Sequence, residues 1–233
     1  MTTDEILDIL EEMFPDAHCE LEHRNAFELL VAVVLSAQTT DAAVNKVTPA
    51  LFEAFGTPQA MAEADIRDIE DKIRRIGLYR NKARSIQNLS RSLLESFDGV
   101  VPESMKELTS LAGVGRKTAN VVRSVCFDIP SIAVDTHVER ISKRLGLAKV
   151  QDSVEVVEQK LKRKLKRERW NRAHHLFIFF GRYFCTARNP KCEECPFKEF
   201  CKKDKPKRHK TIHCGSFFLN QMKPWYSIIT YRI

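Results

Sequence analysis

The sequence has no segment that would carry the chain into or across a membrane. No apolar run approaches the ~20 residues that a bilayer span requires, and the longest candidate, residues 27–37, is interrupted by Glu28. The first residues are MTTDEILDILEEMF, without the positively charged start and the apolar stretch of a secretory signal. We therefore expect a cytoplasmic protein with no membrane partner.

Repeats, low-complexity linkers and alternating apolar segments are also missing. No internal repeat or linker precedes residue 200, so domain boundaries have to be inferred from motifs. No alternating apolar and polar stretch competes as a β-hairpin, which predicts a strand content near zero. The hydrophobic content of 43% and the charged content of 30% are those of an ordinary folded protein, and 233 residues can bury one large core or two modest ones.

Helical start and stop signals recur along the chain and predict an all-α fold. Near the N-terminus the apolar residues Ile6, Leu10, Met13 and Phe14 repeat at helical spacing. The predicted helix starts are Asn25 with Glu28, Thr57 with Pro58, Asp65, Ser104 with Glu107, and Asp152 with Glu155. The predicted ends lie near Gln38 and at Gly77, Gly99 and Gly146.

Positive charge exceeds negative charge and is concentrated in two stretches. Lys and Arg outnumber Asp and Glu by 38 to 31. The dense stretches are LKRKLKRERWNR at 161–172 and KKDKPKRHK at 202–210. Basic runs are more often solvated surface than a specific site. Two interpretations therefore stay open, an anionic partner such as nucleic acid and ordinary solubility.

Four of the seven cysteines are crowded near the C-terminal end. Cys185, Cys192, Cys195 and Cys201 are separated by six, two and five residues. Disulfides are a poor explanation in a reducing compartment, whereas four thiolates this close can hold one metal centre. An all-sulfur site admits either zinc or an iron–sulfur cluster. Cys126 lies in an apolar run and is expected to pack rather than react.

A Gly-x-Gly turn lies between two predicted helices at 108–119, where the sequence reads LTSLAGVGRKTA. Glycine lets the backbone approach a phosphate closely, and the N–H groups at the start of the following helix can hold phosphate oxygens. Glycines in a helix–helix turn can also serve conformation alone. The turn by itself is therefore weak evidence, and the full string is stronger.

That full string resembles the helix-hairpin-helix of the endonuclease III family. Three more strings agree with the family in its order: LSAQ at 35–38 with Asp41, IGLYRNKA at 76–83, and VDTHV at 134–138. The resemblance covers roughly residues 1–210. It implies two all-α lobes with DNA in the cleft between them. The expected lobes are a six-helix domain at 21–130, with the hairpin at 105–124, and a cluster domain formed by 1–20 and 131–211.

The resemblance also implies an active site. Lys117 would be the amine that attacks the sugar C1′ and forms a Schiff base, and Asp135 would activate it or stabilise the sugar cation. The helix dipole and the charge of Arg116 both favour the neutral amine that attack requires. Plainer interpretations exist, because a lysine after a glycine-rich turn is usually a surface residue and an aspartate before a helix is usually its N-cap.

DNA contacts and the cofactor follow from the same resemblance. Gln38 and Leu78 match the family's positions that fill and wedge the base stack; each also has an ordinary structural interpretation. The other expected DNA contacts are Gly113, Gly115, Arg116, Thr118, His137, Arg188 and Lys191. The cysteine spacing is the family's [4Fe-4S] pattern, with a structural role for the cluster.

The implied function is that of a bifunctional DNA glycosylase and abasic-site lyase of base excision repair. Its expected substrate is double-stranded DNA with oxidised pyrimidines or abasic sites, bound by a monomer that associates with the nucleoid. Two alternatives are a monofunctional mismatch glycosylase and a non-catalytic iron–sulfur DNA-binding protein. The tail at 212–233 departs from the family, and the sequence offers no function for it.

Overall fold

The structure, a computed structural model, describes residues 1–203 and is helical, with no strand in that range. The all-α prediction is confirmed. No helix in these residues has the length and apolarity of a bilayer span. The tail at 212–233 and most of the basic stretch at 202–210 lie outside the described residues. The helices are α1 (Thr3–Met13), α2 (Ala26–Leu35), α3 (Asp41–Asn45), α4 (Thr48–Phe55), α5 (Pro58–Glu63), α6 (Ile66–Ile73), α7 (Tyr79–Phe97), α8 (Met105–Ser110), α9 (Arg116–Cys126), α10 (Thr136–Arg144), α11 (Val154–Lys164) and α12 (Trp170–Phe179).

Side-chain caps fix most helix starts where the sequence predicts them. Asn25 accepts a hydrogen bond from the N–H of Glu28 at 2.9 Å, and Thr57 and Ser104 make the same local contact at the starts of α5 and α8. Each cap satisfies an N–H group that the first helical turn leaves without a partner. These starts are predictable because the donor and the acceptor lie within three residues.

The predicted start at Asp152 is wrong by one residue. Ser153 caps α11 by accepting from the N–H of Val156 at 3.4 Å. The carboxylate of Asp152 instead accepts from the N–H of Lys149 at 2.6 Å and from the ammonium of Lys160 at 2.5 Å. An ionised oxygen forms stronger bonds with these partners than with a helix amide alone, so the neighbouring hydroxyl becomes the cap.

Two predicted helix ends are also displaced. α2 ends at Leu35, not near Gln38, and α6 ends at Ile73, not at Gly77. Gln38 and Leu78, which follow these ends, have left-handed φ angles of 54° and 59°. The predicted stops at Gly99 and Gly146 do have the left-handed φ of a helix terminus, 74° and 75°.

The buried side chains form two clusters. The first is drawn from residues 21–122 and is built on α2, whose residues Phe27–Leu35 are all buried. A helix that is apolar on every face has to be enclosed by other helices. The buried Glu28 in this helix is held by the guanidinium of Arg24 at 2.6 Å, which offsets the cost of burying a charge.

The second cluster joins the N-terminal helix to the C-terminal half of the chain. Ile6, Leu7 and Leu10 of α1 are buried with side chains of α10, α11 and α12. Phe180 packs edge-on against Phe197, which lies in the cysteine loop, with ring centroids 5.4 Å apart. The loop is therefore anchored in this core by a fully buried aromatic ring.

Candidate active site and cysteine loop

A cavity of about 1050 Å³ is lined by residues at the start of α9, a helix of the first cluster, and at the start of α10, a helix of the second. Lys117 and Asp135 line it, together with Gln38 and His137. Each of the first two residues lies at the start of a helix, Lys117 in the first turn of α9 and Asp135 at the N-cap of α10. The cavity thus holds an amine, Lys117, and a carboxylate, Asp135, at positive helix ends.

Lys117 is an exposed side chain in the first turn of α9. The N-cap of that helix is Gly115, which has no side chain to occupy the helix start. Among residues 1–203, Lys117 is the only lysine that lines the cavity. An amine that acts on a bound sugar has to be accessible, and Lys117 meets that requirement.

Arg116 is engaged elsewhere in the protein. Its Nε and Nη2 donate to the two carboxylate oxygens of Glu158 at 2.9 and 2.8 Å. This hydrogen bonding raises the pKa of the Arg116 guanidinium. Glu158 also accepts from Lys162 at 2.6 Å. The charge of Arg116 is therefore partly neutralised, and its expected repulsion of the neighbouring Lys117 ammonium is weaker than the sequence alone suggests.

Asp135 is both a helix cap and a cavity-lining residue. One oxygen, Oδ1, accepts hydrogen bonds from the N–H groups of His137 and Val138 at 2.9 and 2.8 Å. Within residues 1–203, Oδ2 receives no hydrogen bond. The cap fixes the direction of the carboxylate, and the second oxygen keeps its full capacity to accept a proton or face a cation.

His137 orients Asp135 through its backbone, whereas its side chain turns to other partners. Its Nδ1 lies 3.2 Å from Nη2 of Arg140, which also donates to the carbonyl of Gly181 at 2.8 Å. Burial lowers the pKa of His137, outweighing the opposite effect of Asp135. The imidazole is therefore neutral at physiological pH and is held by Arg140.

Gln38 and Leu78 have strained backbones and exposed side chains. Both have left-handed φ angles, which bulky residues such as leucine rarely adopt. The Leu78 residue is 58% exposed, although burial would stabilise an apolar side chain. Outliers of this kind persist where the surrounding structure enforces them and are concentrated at functional sites. Only the structure reveals this strain.

The hairpin between α8 and α9 leaves room at its tip. Gly113 has a φ of 76°, which favours glycine, and a Cβ atom added at Gly115 would meet nothing within 4 Å. The amide of Thr118 lies in the first turn of α9, where N–H groups have no helical partner. This turn has the open backbone that a phosphate contact requires.

An ion-pair network on the cavity wall was not predicted from the sequence. Arg182 donates to Asp41 at 2.6 Å and also pairs with Glu20, which accepts from the Tyr183 hydroxyl. Burial lowers the pKa of Arg182, but Asp41 and Glu20 raise it above its ordinary value. Arg182 and Glu20 are 162 positions apart, so no local pattern could have revealed the pair. Arg182 lies in a π-helical turn, Phe180–Phe184, a distortion frequent at functional sites.

His174 is buried and close enough to Asp135 and Lys117 for their charges to affect its pKa. It is 3% exposed, and its Nδ1 has no partner in the described part of the chain. Burial lowers its pKa to about 4, against the opposing influence of Asp135 and of a hydrogen bond with the Ala133 backbone. The imidazole is neutral at physiological pH, so it adds no positive charge beside Lys117.

The cysteine loop brings four thiols near one another. Cys185 is buried and Cys192, Cys195 and Cys201 are partly exposed. Burial raises the pKa of Cys195, and the other three cysteines raise it further by their charge, as expected for neighbouring thiols. In the described residues, no group of three or more His, Cys, Asp and Glu side chains has the arrangement of a single-ion site. In a four-iron cluster each cysteine binds a different iron, so the sulfurs are spread more widely than around one ion.

Arg144 ties this loop to α10. Its Nη1 donates to Sγ of Cys185 at 3.0 Å and to the carbonyl of Thr186 at 3.0 Å. A donor aimed at sulfur suits a thiolate ligand, whose charge it stabilises. Arg188 and Lys191 are exposed on the same loop, and Nζ of Lys191 lies 5.8 Å from the Phe184 ring centroid. The chemistry of this donor set fits an iron–sulfur cluster.

Comparison with known protein families identifies relatives of the chain. Residues 31–167, more than half of the chain, match the HhH-GPD superfamily of base excision DNA repair proteins. Residues 185–201 match the iron-sulfur binding domain of endonuclease III. The chain is 52% identical over 206 residues to endonuclease III of Bacillus subtilis (strain 168), covering 88% of this chain and 94% of the relative. It is 45% identical over 197 residues to endonuclease III of Escherichia coli (strain K12), covering 84% and 93%.

Solved structures give the same result. A trapped endonuclease III–DNA covalent intermediate matches with a TM-score of 0.83 and 55% identity, covering 87% of this chain and 96% of that one. A thermostable thymine-DNA glycosylase shares the fold, with a TM-score of 0.74 and 21% identity over 85% of this chain and 94% of that one. The chain therefore belongs to the endonuclease III family of helix-hairpin-helix base excision DNA repair enzymes, and it carries that family's [4Fe-4S] domain.

Proposed function

We propose that Lys117 and Asp135 perform the chemistry of this enzyme, which is a bifunctional DNA glycosylase and abasic-site lyase. The observation that carries the assignment is their presence in one cavity, each at a helix start. Lys117 is the only lysine of that cavity in the described residues. Trapping a covalent adduct on abasic DNA with borohydride is the test, because a monofunctional glycosylase or a non-catalytic DNA-binding protein forms none.

The reaction requires a nucleophile and a leaving base. The neutral Lys117 amine donates its electron pair to the sugar C1′, the glycosidic bond breaks, and the base leaves with that bond's electrons and takes up a proton. Opening of the sugar ring then gives a protonated imine. The imine acidifies the C2′ proton; its loss expels the 3′ phosphate and cleaves the strand.

The two carboxylate oxygens of Asp135 have different roles. Oδ1 is committed to the amides of α10, and Oδ2 is available to take a proton from the Lys117 ammonium or to stabilise positive charge on the sugar. The cap holds the carboxylate still, so little reorganisation is needed when charge develops. We infer that base expulsion, which develops the most charge, depends on Asp135 more than the abasic-site reaction does.

The substrate we propose is double-stranded DNA with oxidised pyrimidines or abasic sites. Asp41 and Arg182 place an acceptor and a donor side by side on the cavity wall, 2.6 Å apart. The edge of a pyrimidine imide alternates carbonyl acceptors with an N–H donor, so this wall is complementary to it. The pair supports recognition of a base extruded into the cavity.

Replacing Arg182 with glutamine is expected to slow removal of an oxidised pyrimidine by about 10- to 100-fold, the worth of one charged hydrogen bond. The lyase reaction on a preformed abasic site should change little, because no base then occupies the cavity. Single-turnover rates on the two substrates give the comparison. Arg169→Gln is the matched control, since Arg169 also holds two carboxylates, Asp4 and Asp8, but lies outside the cavity. An equal reduction of the single-turnover rate on both substrates would contradict a role for Arg182 in base recognition.

DNA binding in this proposal uses the hairpin and two strained residues. The open backbone at Gly113 and Gly115, with the amide of Thr118, would hold phosphate without reading sequence. Gln38 and Leu78 would fill the stack that the extruded base leaves, which offsets a cost of a few kcal/mol. Arg188 and Lys191 would contact the backbone from the cysteine loop.

The cofactor ligands we propose are Cys185, Cys192, Cys195 and Cys201. The cluster, when bound, supplies cross-links that rigidify the loop. We also propose that residues 21–130 form one lobe and residues 1–20 with 131–211 the other, with DNA between them. The enzyme would act as a monomer on chromosomal DNA in the cytoplasm.

Replacing Cys192 with serine is expected to remove the brown iron–sulfur absorption and to lower the melting temperature. A hydroxyl is a poorer ligand for iron than a thiolate, and the loop loses one of its four attachments. Absorbance of the purified protein provides the measurement. Cys126→Ser is the control, because Cys126 packs against the first core and burial raises its pKa to about 11. Unchanged absorption in Cys192→Ser would remove Cys192 from the ligand set.

A further inference from the structure

A strongly basic groove lies on α10 and α11, apart from the active-site cavity. It has a volume of about 670 Å³, and no acidic residue lines it. Its cationic lining residues are Lys143, Lys149, Lys160, Arg163, Lys164 and Lys202. We call it the α10–α11 groove. Cations on a convex surface are simply solvated, whereas cations that converge on a concavity raise the local potential for an anion.

Most of this charge is not neutralised by the described part of the protein. Lys143 pairs with Glu139 and Lys160 pairs with Asp152, each at 2.5 Å. In residues 1–203, the remaining four cationic side chains of the groove form no ion pair. They are Lys149, Arg163, Lys164 and Lys202. The groove therefore presents a surplus of positive charge that the neighbouring carboxylates Glu139 and Asp152 do not balance.

Helix stability explains only some of the positive charges in the α10–α11 groove. Arg163 and Lys164 lie in the last turn of α11, where positive charge favours the helix dipole. Lys149 and Lys202 lie in no helix, so the dipole gives no reason for them. The N–H of Lys202 donates to the carbonyl of Arg144 at 2.8 Å. A Cβ atom added to Gly146 would lie 2.6 Å from Cε of Lys202, so the lysine chain lies directly over that glycine.

Between the groove and the active-site cavity lies a second depression along α10. This depression, of about 380 Å³, shares Lys143 and Lys202 with the groove. That depression is also lined by Thr136, which lines the active-site cavity as well. The nine residues of α10 span about 13.5 Å. For a duplex that runs along α10, this length corresponds to about four base pairs at 3.4 Å per base pair.

We propose that the α10–α11 groove binds backbone phosphates of the duplex about four base pairs from the damaged nucleotide. This inference rests on the proposed function, because it requires the lesion to lie at Lys117 and Asp135. The position of the groove, joined to that cavity through the depression that shares Thr136 with the cavity and Lys143 with the groove, favours DNA over an acidic protein as the anion. Lysine and arginine on flexible stems hold phosphates without selecting a sequence.

The test is the salt dependence of DNA binding by Lys149→Gln/Arg163→Gln. Wild-type enzyme and variant are titrated with a duplex of 20 or more base pairs that contains a tetrahydrofuran abasic analogue. The plot of log affinity against log salt concentration should lose about 0.9 of slope for each lost phosphate contact, or about 1.8 for two. The control, Arg67→Gln/Arg91→Gln, removes two exposed arginines that line none of these cavities. An equal loss of slope in both double variants would overturn the proposal, as would no loss in the first.

Duplex length gives a second test. Shortening one arm of the duplex to three base pairs should remove the difference between wild type and Lys149→Gln/Arg163→Gln, since that arm no longer reaches the groove. A difference that survives shortening of either arm would overturn the proposed position. Borohydride trapping at saturating enzyme separates the two proposals. If it fails in the wild type, the proposed function is wrong; if it succeeds while the salt slopes coincide, only the groove is wrong.

Discussion

Lys117→Gln is expected to abolish strand cleavage and borohydride trapping, with a loss of more than about 10³-fold, as for other covalent nucleophiles. Glutamine preserves the length and polarity of the side chain, but its amide nitrogen cannot form an imine. Lys117 is exposed and is not needed to cap α9, so the fold should survive. The hairpin amides also remain, and affinity for abasic-analogue DNA should change by less than about tenfold. Borohydride trapping resolved on a gel measures the covalent adduct, and an equilibrium binding titration measures the affinity for DNA.

Two other lysines define the controls for this experiment. Lys106 occupies the same position in the first turn of α8 that Lys117 occupies in α9, and Lys106→Gln should trap DNA normally. Lys82 is the alternative amine to test, since burial lowers its pKa and its Nζ donates to Thr39 of the cavity wall at 2.5 Å. If Lys117→Gln still traps DNA at the wild-type rate while Lys82→Gln does not, the nucleophile is Lys82.

Asp135→Asn is expected to reduce base removal by about 10²- to 10⁴-fold, the usual contribution of a catalytic acid–base group. The effect should be chemical and not structural. An asparagine Oδ1 can still accept from the N–H groups of His137 and Val138, and asparagine is as good an N-cap as aspartate. What is lost is the negative charge and the proton-accepting capacity of Oδ2. Lyase activity on preformed abasic sites should fall less, since no base has to be expelled.

A matched substitution separates catalysis from capping. Asp65 caps α6 by accepting from the N–H of Arg67 at 2.8 Å, so Asp65→Asn should preserve both activity and melting temperature. Asp135→Ala, which removes the cap as well, should cost about 1 kcal/mol of stability in addition to activity. If Asp135→Asn expelled bases at the wild-type rate, Asp135 would be a helix cap and nothing more.

Most helix starts could be read from the sequence because their causes are local. A cap such as Asn25 bonds to an amide three residues away, and this geometry is the same in any protein. The prediction at Asp152 was wrong because two equally good caps stand side by side, and the ion pair of Asp152 with Lys160 decided between them. The ends predicted near Gln38 and at Gly77 were displaced to Leu35 and Ile73, and the left-handed φ angles of Gln38 and Leu78 beyond them are unusual for these residue types, so local preference did not predict them.

The sequence by itself determined the all-α class, the cysteine loop and the candidate residues Lys117 and Asp135. The helical class and the cysteine spacing are local patterns, whereas Lys117 and Asp135 became candidates because short strings around them resemble those of a known family. Only the tertiary structure decided which side chains from distant parts of the sequence contact one another. The pairing of Arg182 with Glu20 across 162 positions and of Arg116 with Glu158 across 42 depends on how helices pack. Packing minimises the apolar surface left exposed to water over the whole chain, so such contacts leave no local signal.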